Sequence, residues 1–298
     1  MPAISLQSTF PRTYRITEIK QETPEVRTYT FAGSLGAKPG QFVMVWIPGV
    51  DEIPLGVAYD DGAVTKVTFF VVGEATQALA EKKVGDLVGL RGPFGTSYEW
   101  RPGQHIILVA GGYGAAPMYF VARETVAHGC TLEAIVGARS KEHLLYIDEL
   151  SALPHVSVHI ATNDGSAGYK GFNTEILERL LTSCPRERGK RSDPGCFPID
   201  QVFACGPEPM LVKVSEITAK YAVPSQLALA RYMKCGFGVC GQCVVDPLGI
   251  RICTEGPVIK NDVCVQITEF GKYHRDGMGR REDFPVPGAK PAKGGTKN

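Results

Sequence analysis

The chain has 298 residues, of which 44% are hydrophobic and 21% are charged, and its formal net charge is +1. This length and composition are typical of a globular protein with two or three domains. The near-zero charge gives no electrostatic basis for binding nucleic acid. The N-terminal stretch lacks a long apolar segment, and no apolar run approaches the ~20 residues that span a bilayer. We therefore expect a cytoplasmic protein without a secretory leader or a membrane span.

Residues 1–101 contain short β-rich runs, among them YRITEI, VRTYTF, QFVMVWI and VTKVTFFVV. Gly and Pro separate these runs, and alternating or β-branched residues within them predict strands. Many short strands at regular spacing favour a small antiparallel barrel. One short helix is expected at ATQALAEK.

Residues 102–224 follow a different pattern, in which buried strands alternate with helical segments. The predicted strands are HIILVA, TLEAIVG, HVSVHIAT and DQVFACG. Such alternation predicts right-handed βαβ units and a parallel sheet. Residues 184–198, which read CPRERGKRSDPGCFP, are expected to form a surface loop.

A glycine turn follows the first of these strands. Gly111, Gly112 and Gly114 stand between the strand and a predicted helix, where backbone N–H groups can approach a pyrophosphate. The pattern G-G-x-G differs from the usual G-x-G-x-x-G fingerprint. On its own it is compatible with a nucleotide site or with a plain tight turn.

Three other loops follow strands of the same predicted sheet. Arg139 and Ser140 offer groups to a phosphate or ribose, Asp164 either contacts a nucleotide or caps a turn, and Cys205 begins the turn to the last helix. As a free cysteine, Cys205 could equally be a small buried apolar residue. Because carboxyl ends of parallel strands share one edge, these loops are expected to converge with the glycine turn.

Residues 225–270 contain a cluster of cysteines. Cys235, Cys240 and Cys243 have the spacing C-x4-C-x2-C, and Cys253 follows closely. This spacing is typical of plant-type [2Fe–2S] proteins, whereas zinc usually takes two separated cysteine or cysteine–histidine pairs. We expect a [2Fe–2S] cluster in a small C-terminal domain, with structural zinc as the alternative. The Gly- and Pro-rich tail, residues 271–298, is expected to be disordered.

A barrel followed by a nucleotide-binding sheet with the turns GGYGAAPM and CGPEPM resembles the ferredoxin–NADP reductase superfamily. The segment RYMKCGFGVCGQC, with the later cysteine and GPV, resembles the electron-transfer subunit of class 1B dihydroorotate dehydrogenases over residues 10–270. The resemblance implies FAD on the barrel, NAD on the second domain and [2Fe–2S] on the third. It also implies a separate FMN-containing catalytic subunit that oxidises dihydroorotate to orotate, in a heterotetramer.

The resemblance transfers the cofactor contacts residue by residue and implies no general acid or base. Cys235, Cys240, Cys243 and Cys253 match the cluster ligands. The expected flavin contacts are Pro54, Leu55, Gly56, Val57, Thr68, Phe69, Phe70, Gly73, Ala75 and Thr76. The expected nucleotide contacts are Gly111, Gly112, Gly114, Ala116, Pro117, Arg139, Asp164, Cys205, Gly206 and Pro207.

The flavin segment departs from the family pattern R-P-x-S. Here the aligned residues are Ile53, Pro54, Leu55 and Gly56. Replacing the arginine removes a bidentate phosphate contact, and replacing the serine removes a hydrogen bond near the flavin N5. Backbone N–H groups and Thr76 are expected to compensate.

The resulting hypothesis is a redox relay from a partner subunit through [2Fe–2S] and FAD to NAD+. A flavin is needed because a cluster carries one electron and a nicotinamide takes two as hydride. Phe237 and Val239 are expected to form the docking face, although Phe237 could instead shield the cluster. Two alternatives are the same relay serving a ferredoxin:NADP reductase, sulfhydrogenase or sulfite reductase, and a zinc- or nucleotide-binding module without flavin.

Overall fold

The computed structural model describes residues 10–183 and 198–284. The first part is an antiparallel barrel. Its strands are β1 (Arg12–Thr23), β2 (Val26–Ala32), β3 (Phe42–Ile47), β4 (Asp51–Asp60), β5 (Val64–Phe70) and β6 (Leu87–Phe94), with helix α1 (Glu74–Ala80) between β5 and β6. They close in the order β1-β2-β5-β4-β3-β6, which leaves no free sheet edge. The predicted barrel is confirmed.

Alternating side chains fill the barrel interior. Tyr29 and Phe31 from β2 and Val67 and Phe69 from β5 are fully buried, as the two-residue period of strands requires. The rings of Tyr29 and Phe69 meet edge to face with their centroids 5.0 Å apart. Burial of these aromatic side chains stabilises the barrel.

The second part is a seven-stranded sheet. Its elements are β7 (His105–Gly111), α2 (Ala115–Ala127), β8 (Thr131–Ala138), α3 (Ile147–Ser151), β9 (Val156–Thr162), β10 (Tyr169–Lys170), α4 (Asn173–Ser183), β11 (Gln201–Cys205), α5 (Glu208–Lys220), β12 (Ser225–Ala228) and β15 (Val258–Lys260). The order is β10-β9-β8-β7-β11-β12-β15, and every pair is parallel except β12 with β15. The predicted parallel sheet is confirmed.

A polar bridge ties three neighbouring strands together near their amino ends. Glu133 on β8 accepts a hydrogen bond from His159 on β9 at 2.6 Å and lies 3.5 Å from the Nε2 atom of His105 on β7. Burial opposes ionisation of the carboxyl group, but the hydrogen bonds from His105 and His159 lower the pKa of Glu133 to about 2.

The cysteine segment is inserted between two strands of this sheet. It lies between β12 and β15 and contains β13 (Val244–Val245), β14 (Ile250–Arg251) and α6 (Ile252–Glu255), and α7 (Asn261–Cys264) follows β15. The expected domain boundary between residues 224 and 225 therefore falls just before a strand of the nucleotide-domain sheet. The cysteine loop is anchored at both ends by hydrogen-bonded strands.

The segment after residue 270 differs from the expected disordered tail. Tyr273–Arg275 (β16) and Arg281–Asp283 (β17) form an antiparallel hairpin. The side-chain amide of Gln242, in the cysteine loop, donates to the carbonyl of Asp276 in this hairpin. The rest of the tail and residues 184–197 of the expected surface loop lie outside the described residues. No helix in the described ranges is long and apolar enough to cross a membrane.

A buried ion-pair group joins the cysteine segment to the sheet domain. Arg231 donates to Glu208 at the start of α5 at 2.5 Å and to Glu269 at 2.6 Å, and the side chains of all three are at most 7% exposed. Glu208 also accepts a hydrogen bond from the backbone N–H of Gly271. Removing Arg231 would take the shared cation away from both buried carboxyl groups.

Candidate functional site

The four cysteines of the C-terminal loop interact in two pairs. The side chain of Cys240 helps to lower the pKa of Cys235, and the side chain of Cys253 lowers the pKa of Cys243. The second pair is buried, Cys235 is half-buried and Cys240 is exposed. The loop therefore has an inner and an outer pair of sulfur ligands.

Backbone groups of the loop point at these sulfur atoms. The N–H of Val239 donates to Cys235 Sγ and that of Cys253 to Cys243 Sγ, each at 3.4 Å. Burial raises the pKa of Cys235, but the N–H groups of the loop, led by that of Cys240, lower it to about 7. The thiol of Cys253 donates to Cys243 and lowers the pKa of Cys243 to about 6. These shifts favour the thiolate form of Cys235 and Cys243, the form that binds metal, whereas the interaction with Cys243 raises the pKa of Cys253.

The four cysteines of the loop supply the donors that a two-iron cluster would need. A [2Fe–2S] cluster bound by four cysteines needs two thiolates on each iron. The four cysteines would supply these thiolates, so the donor set fits the cluster.

Glycines allow this loop to lie tightly against the barrel. Gly236 and Gly238 have φ angles of +79° and +84°, which other residues rarely adopt. A Cβ atom on Gly236 would lie 2.9 Å from Met44 and 3.1 Å from Phe94 of the barrel. The loop therefore depends on glycine both for its turn and for its contact with the barrel.

The predicted flavin segment lies on β4. Ile53, Leu55 and Val57 point toward the barrel core, and Val57 is fully buried there. Pro54 and Gly56 alternate to the outer face, and a Cβ atom on Gly56 would meet no atom within 4 Å. Ile53 packs on the core and supplies no charge, so this face is open and free of basic side chains from β4.

The other predicted flavin residues are only partly turned outward. The ring of Phe69 lies inside the barrel against Tyr29. The hydroxyl of Thr68 lies 2.8 Å from that of Thr28 and 3.0 Å from that of Tyr146. Phe70 packs against the second domain. The side chains of Phe69 and Thr68 therefore serve packing and the domain interface, and only their backbone remains for a cofactor.

The turn before α1 offers backbone donors. Thr76 Oγ1 accepts hydrogen bonds from the N–H groups of Val72 and Gly73, at 3.0 Å each, and fixes the turn. Gly73 faces open space, and Ala75 lies in the first turn of the helix, whose N–H groups have no intrahelical partner. Together with open Gly56, this arrangement fits a flavin whose phosphates are held by backbone groups.

Two turns meet at the carboxyl edge of the sheet, after β7 and after β11. A Cβ atom on Gly114 would lie 2.3 Å from the carbonyl oxygen of Cys205, and one on Gly111 would lie 2.8 Å from Pro207. Gly112 has a φ of +54° and open space beside it. Only glycines permit this approach, which leaves backbone groups at the mouth of the crevice. A Cβ atom on Gly206 would lie 3.0 Å from the backbone of Gly111.

Other predicted nucleotide residues have defined structural roles. Ala116 is fully buried at the start of α2, and Pro117 next to it is half-buried. Burial raises the pKa of the Cys205 thiol to about 12, so this thiol is neutral. A neutral thiol beside the crevice adds no charge that would repel a dinucleotide.

The loops after β8 and β9 lie next to each other at the same edge. Arg139 is exposed and pairs with Glu25 of the barrel at 3.2 Å. Asp164 accepts hydrogen bonds from the N–H and hydroxyl groups of Ser166 and caps its own turn. The N–H of Asp164 donates to the carbonyl of Arg139. These two loops therefore lie together, and Asp164 caps its own turn. The nucleotide contacts of Arg139 and Asp164 stay predictions.

Sequence reasoning missed two charged residues between the barrel and the cysteine loop. Arg91 on β6 forms a bidentate pair with Glu52 on β4, at 2.7 and 2.6 Å. Its third contact is the carbonyl of Cys235, at 2.7 Å. A lone arginine in the apolar run LVGLRGPF was the available signal, because a buried arginine needs partners.

Comparison with known proteins identifies the family. Residues 230–263 match the family described as the iron–sulfur cluster binding domain of dihydroorotate dehydrogenase B, and residues 108–216 match the oxidoreductase NAD-binding domain. A probable dihydroorotate dehydrogenase B (NAD(+)) electron transfer subunit from Methanocaldococcus jannaschii is 42% identical over 269 residues, 90% of this chain and 96% of the relative. The chain belongs to this family of electron transfer subunits. The relative of the same name from Methanothermobacter thermautotrophicus is 40% identical, over 91% of this chain and 97% of its own length.

Solved structures agree with this electron-transfer family. The structure of an NADH-dependent reduced ferredoxin–NADP oxidoreductase is 28% identical, with a TM-score of 0.72 and coverage of 90% of this chain and 91% of the other. Phthalate dioxygenase reductase, at 17% identity, shares the fold with a TM-score of 0.58, over 76% of this chain and 71% of the other. The predicted family and fold class are confirmed, and the family models agree with the expected NAD and iron–sulfur sites. FAD stays a prediction.

Proposed function

We propose that this chain transfers electrons between NAD+ and an FMN-containing subunit that oxidises dihydroorotate to orotate. The two kinds of subunit would form a heterotetramer in the cytoplasm. Family membership over 90% of the chain supports this function. When bound, FAD exchanges a hydride with the nicotinamide and single electrons with the cluster, which lets a two-electron oxidation feed NAD+ reduction.

The observation that carries the proposal is the two-sided placement of the cysteine loop. Its inner side packs on Phe42, Met44 and Phe94 of the barrel, next to the open face of β4. Its outer side presents Cys240 and Val239, whose side chain is 77% exposed. An exposed apolar residue beside a ligand of a redox centre suits a docking surface for a redox partner. Phe237 is half-buried against the core, which supports a role in shielding the cluster rather than in docking.

The remaining cofactor contacts follow the same placement. We assign the flavin to the outer face formed by Pro54, Gly56 and the turn from Gly73 to Thr76. We assign the nicotinamide to the crevice between the Gly111–Gly114 turn and the Cys205–Pro207 turn. Arg139 is assigned to the nucleotide end of this crevice, where it can exchange Glu25 for a phosphate group. These residues bind and orient, and no acid–base group is required for hydride transfer.

The proposal is tested with the holoprotein and the FMN-binding subunit expressed together. We expect dihydroorotate-dependent reduction of NAD+ only when both subunits are present. The chain alone should oxidise NADH with an artificial electron acceptor. If the pair reduces no NAD+ with dihydroorotate while the chain alone remains active with NADH, the relay serves another partner, such as a ferredoxin.

The docking surface is tested by Val239→Glu. This change places a charge beside Cys240 and should weaken copurification of the partner at least tenfold, while NADH oxidation by the chain alone stays at its original rate. Val84→Glu is the matched control, because Val84 is 60% exposed and lies in the turn before β6. Equal effects of the two substitutions would exclude the cysteine loop as the docking surface.

A further inference from the structure

Arg91 occupies an unusual position at the junction of barrel and cysteine loop. The residue is only 6% exposed, and its guanidinium reaches across β3 to Glu52 on β4. A second branch donates to the backbone carbonyl of Cys235, 144 residues away in sequence. One side chain therefore links the strand of the flavin segment to a ligand of the cluster.

Aromatic rings enclose this guanidinium. Its central carbon lies 5.6 Å from the ring centroid of Phe94 on the barrel and 5.5 Å from that of Phe237 in the cysteine loop. Both rings present favourable faces to a cation, and both exclude water. A charge in such surroundings acts more strongly on its neighbours than one at the surface.

Glu52 lies on the same face of β4 as the flavin segment. Because strand residues alternate, Glu52, Pro54 and Gly56 share the outer face. The pair of charges is thus located between the face assigned to the flavin and the loop that binds the cluster. The carboxylate is 24% exposed, whereas the guanidinium is buried.

We propose that Arg91 positions the cysteine loop and raises the reduction potential of the cluster, and that Glu52 opposes it. Reduction adds one negative charge to the cluster, so a nearby positive charge favours the reduced form and a negative charge disfavours it. The inference rests on the cluster alone and not on the identity of the partner subunit.

The test is a redox titration of the purified holoprotein, followed by the electron paramagnetic resonance signal of the reduced cluster. Arg91→Gln should lower the midpoint potential, and Glu52→Gln should raise it. Each change should alter the ratio of reduced to oxidised cluster roughly tenfold, ~59 mV for a one-electron couple. Lys66→Gln, which removes a cation from β5 on the far side of the barrel, should leave the potential unchanged.

Opposite shifts distinguish an electrostatic role from mere loosening of the loop, which would shift both variants in one direction. Unchanged potentials in both, or shifts of the same sign, would overturn the proposal. If Arg91→Gln loses the cluster during purification, the midpoint potentials of Arg91→Lys and Glu52→Gln test the proposal instead. The lysine keeps the charge and should keep the potential, but it cannot bind Glu52 and Cys235 as a fork and should release iron to a chelator faster. No partner subunit or NAD enters the measurement, so failure of the proposed function would not affect it.

Discussion

Gly114→Ala tests whether the contact between two turns forms the nicotinamide crevice. The new Cβ atom would lie 2.3 Å from the carbonyl oxygen of Cys205 and 2.7 Å from its carbon. Ordinary contact begins near 3.4 Å, so the turns must separate by about 1 Å. Both atoms belong to backbone, so no side-chain rotation can relieve the clash.

The expected loss follows from this displacement. A misplacement of about 1 Å at a reacting centre costs about 100-fold in rate. We therefore expect kcat/KM for NADH oxidation with an artificial acceptor to fall about 100-fold, which is ~2.7 kcal/mol of transition-state stabilisation. Overpacking should also lower the free energy of unfolding by about 1–3 kcal/mol. Flavin and cluster absorption should be retained.

Gly129→Ala is the matched control in the same domain. Gly129 has a φ of +76° and open space around it, so its replacement adds strain without a clash. We expect about 1–2 kcal/mol of lost stability and an unchanged kcat/KM. A Gly114→Ala protein that is folded and within twofold of the original kcat/KM would refute the reasoning about the crevice.

Two further predictions concern stability. Arg231→Met leaves buried Glu208 without its cation and leaves Glu269 with only Arg275, whose Nε lies 3.9 Å away, and it should lower the free energy of unfolding by about 3–5 kcal/mol in urea titrations. Lys213→Met, which breaks an exposed ion pair on α5, should lower the free energy of unfolding by less than about 1 kcal/mol. Equal losses of stability in the two variants would contradict the importance of the buried ion-pair group. The depressed pKa of Glu133, about 2 in the folded chain against 4.5, adds stability that is fully present above pH 4.5 and is lost as the pH falls toward 2. Glu133→Gln should remove about 1–2 kcal/mol of this pH dependence after allowance for solvent screening, and an unaltered acid profile would contradict the assignment.

Local patterns in the sequence were enough to predict the architecture. Strand runs cut by Gly and Pro indicated the barrel, and alternation of strands with helices indicated the parallel sheet. The residues from Cys235 to Cys253 lie within one short loop, so their spacing alone limits how they can surround a metal centre. Glycine turns after buried strands likewise report a local backbone requirement, which explains why their location was predicted correctly.

Side-chain direction was harder to predict. Thr68 and Phe69 were assigned to the flavin because their strand lies beside it. The register of β5 within the closed barrel directs Phe69 toward Tyr29 and Thr68 toward Tyr146. A strand shows its alternation in sequence, but which face meets a cofactor depends on neighbouring strands and on the other domain.

By itself, the sequence determined the family and predicted the cofactors and the four cluster ligands, because each is indicated by residues close together in the chain. Only the tertiary structure decided which side chains anchor the cluster loop and which charges lie beside it. Arg91 is 39 residues from Glu52 and 144 from Cys235, and Arg231 is 38 from Glu269. Such contacts leave no periodic trace in the sequence, since they arise only when the barrel, the sheet and the inserted loop pack together and bury their charges.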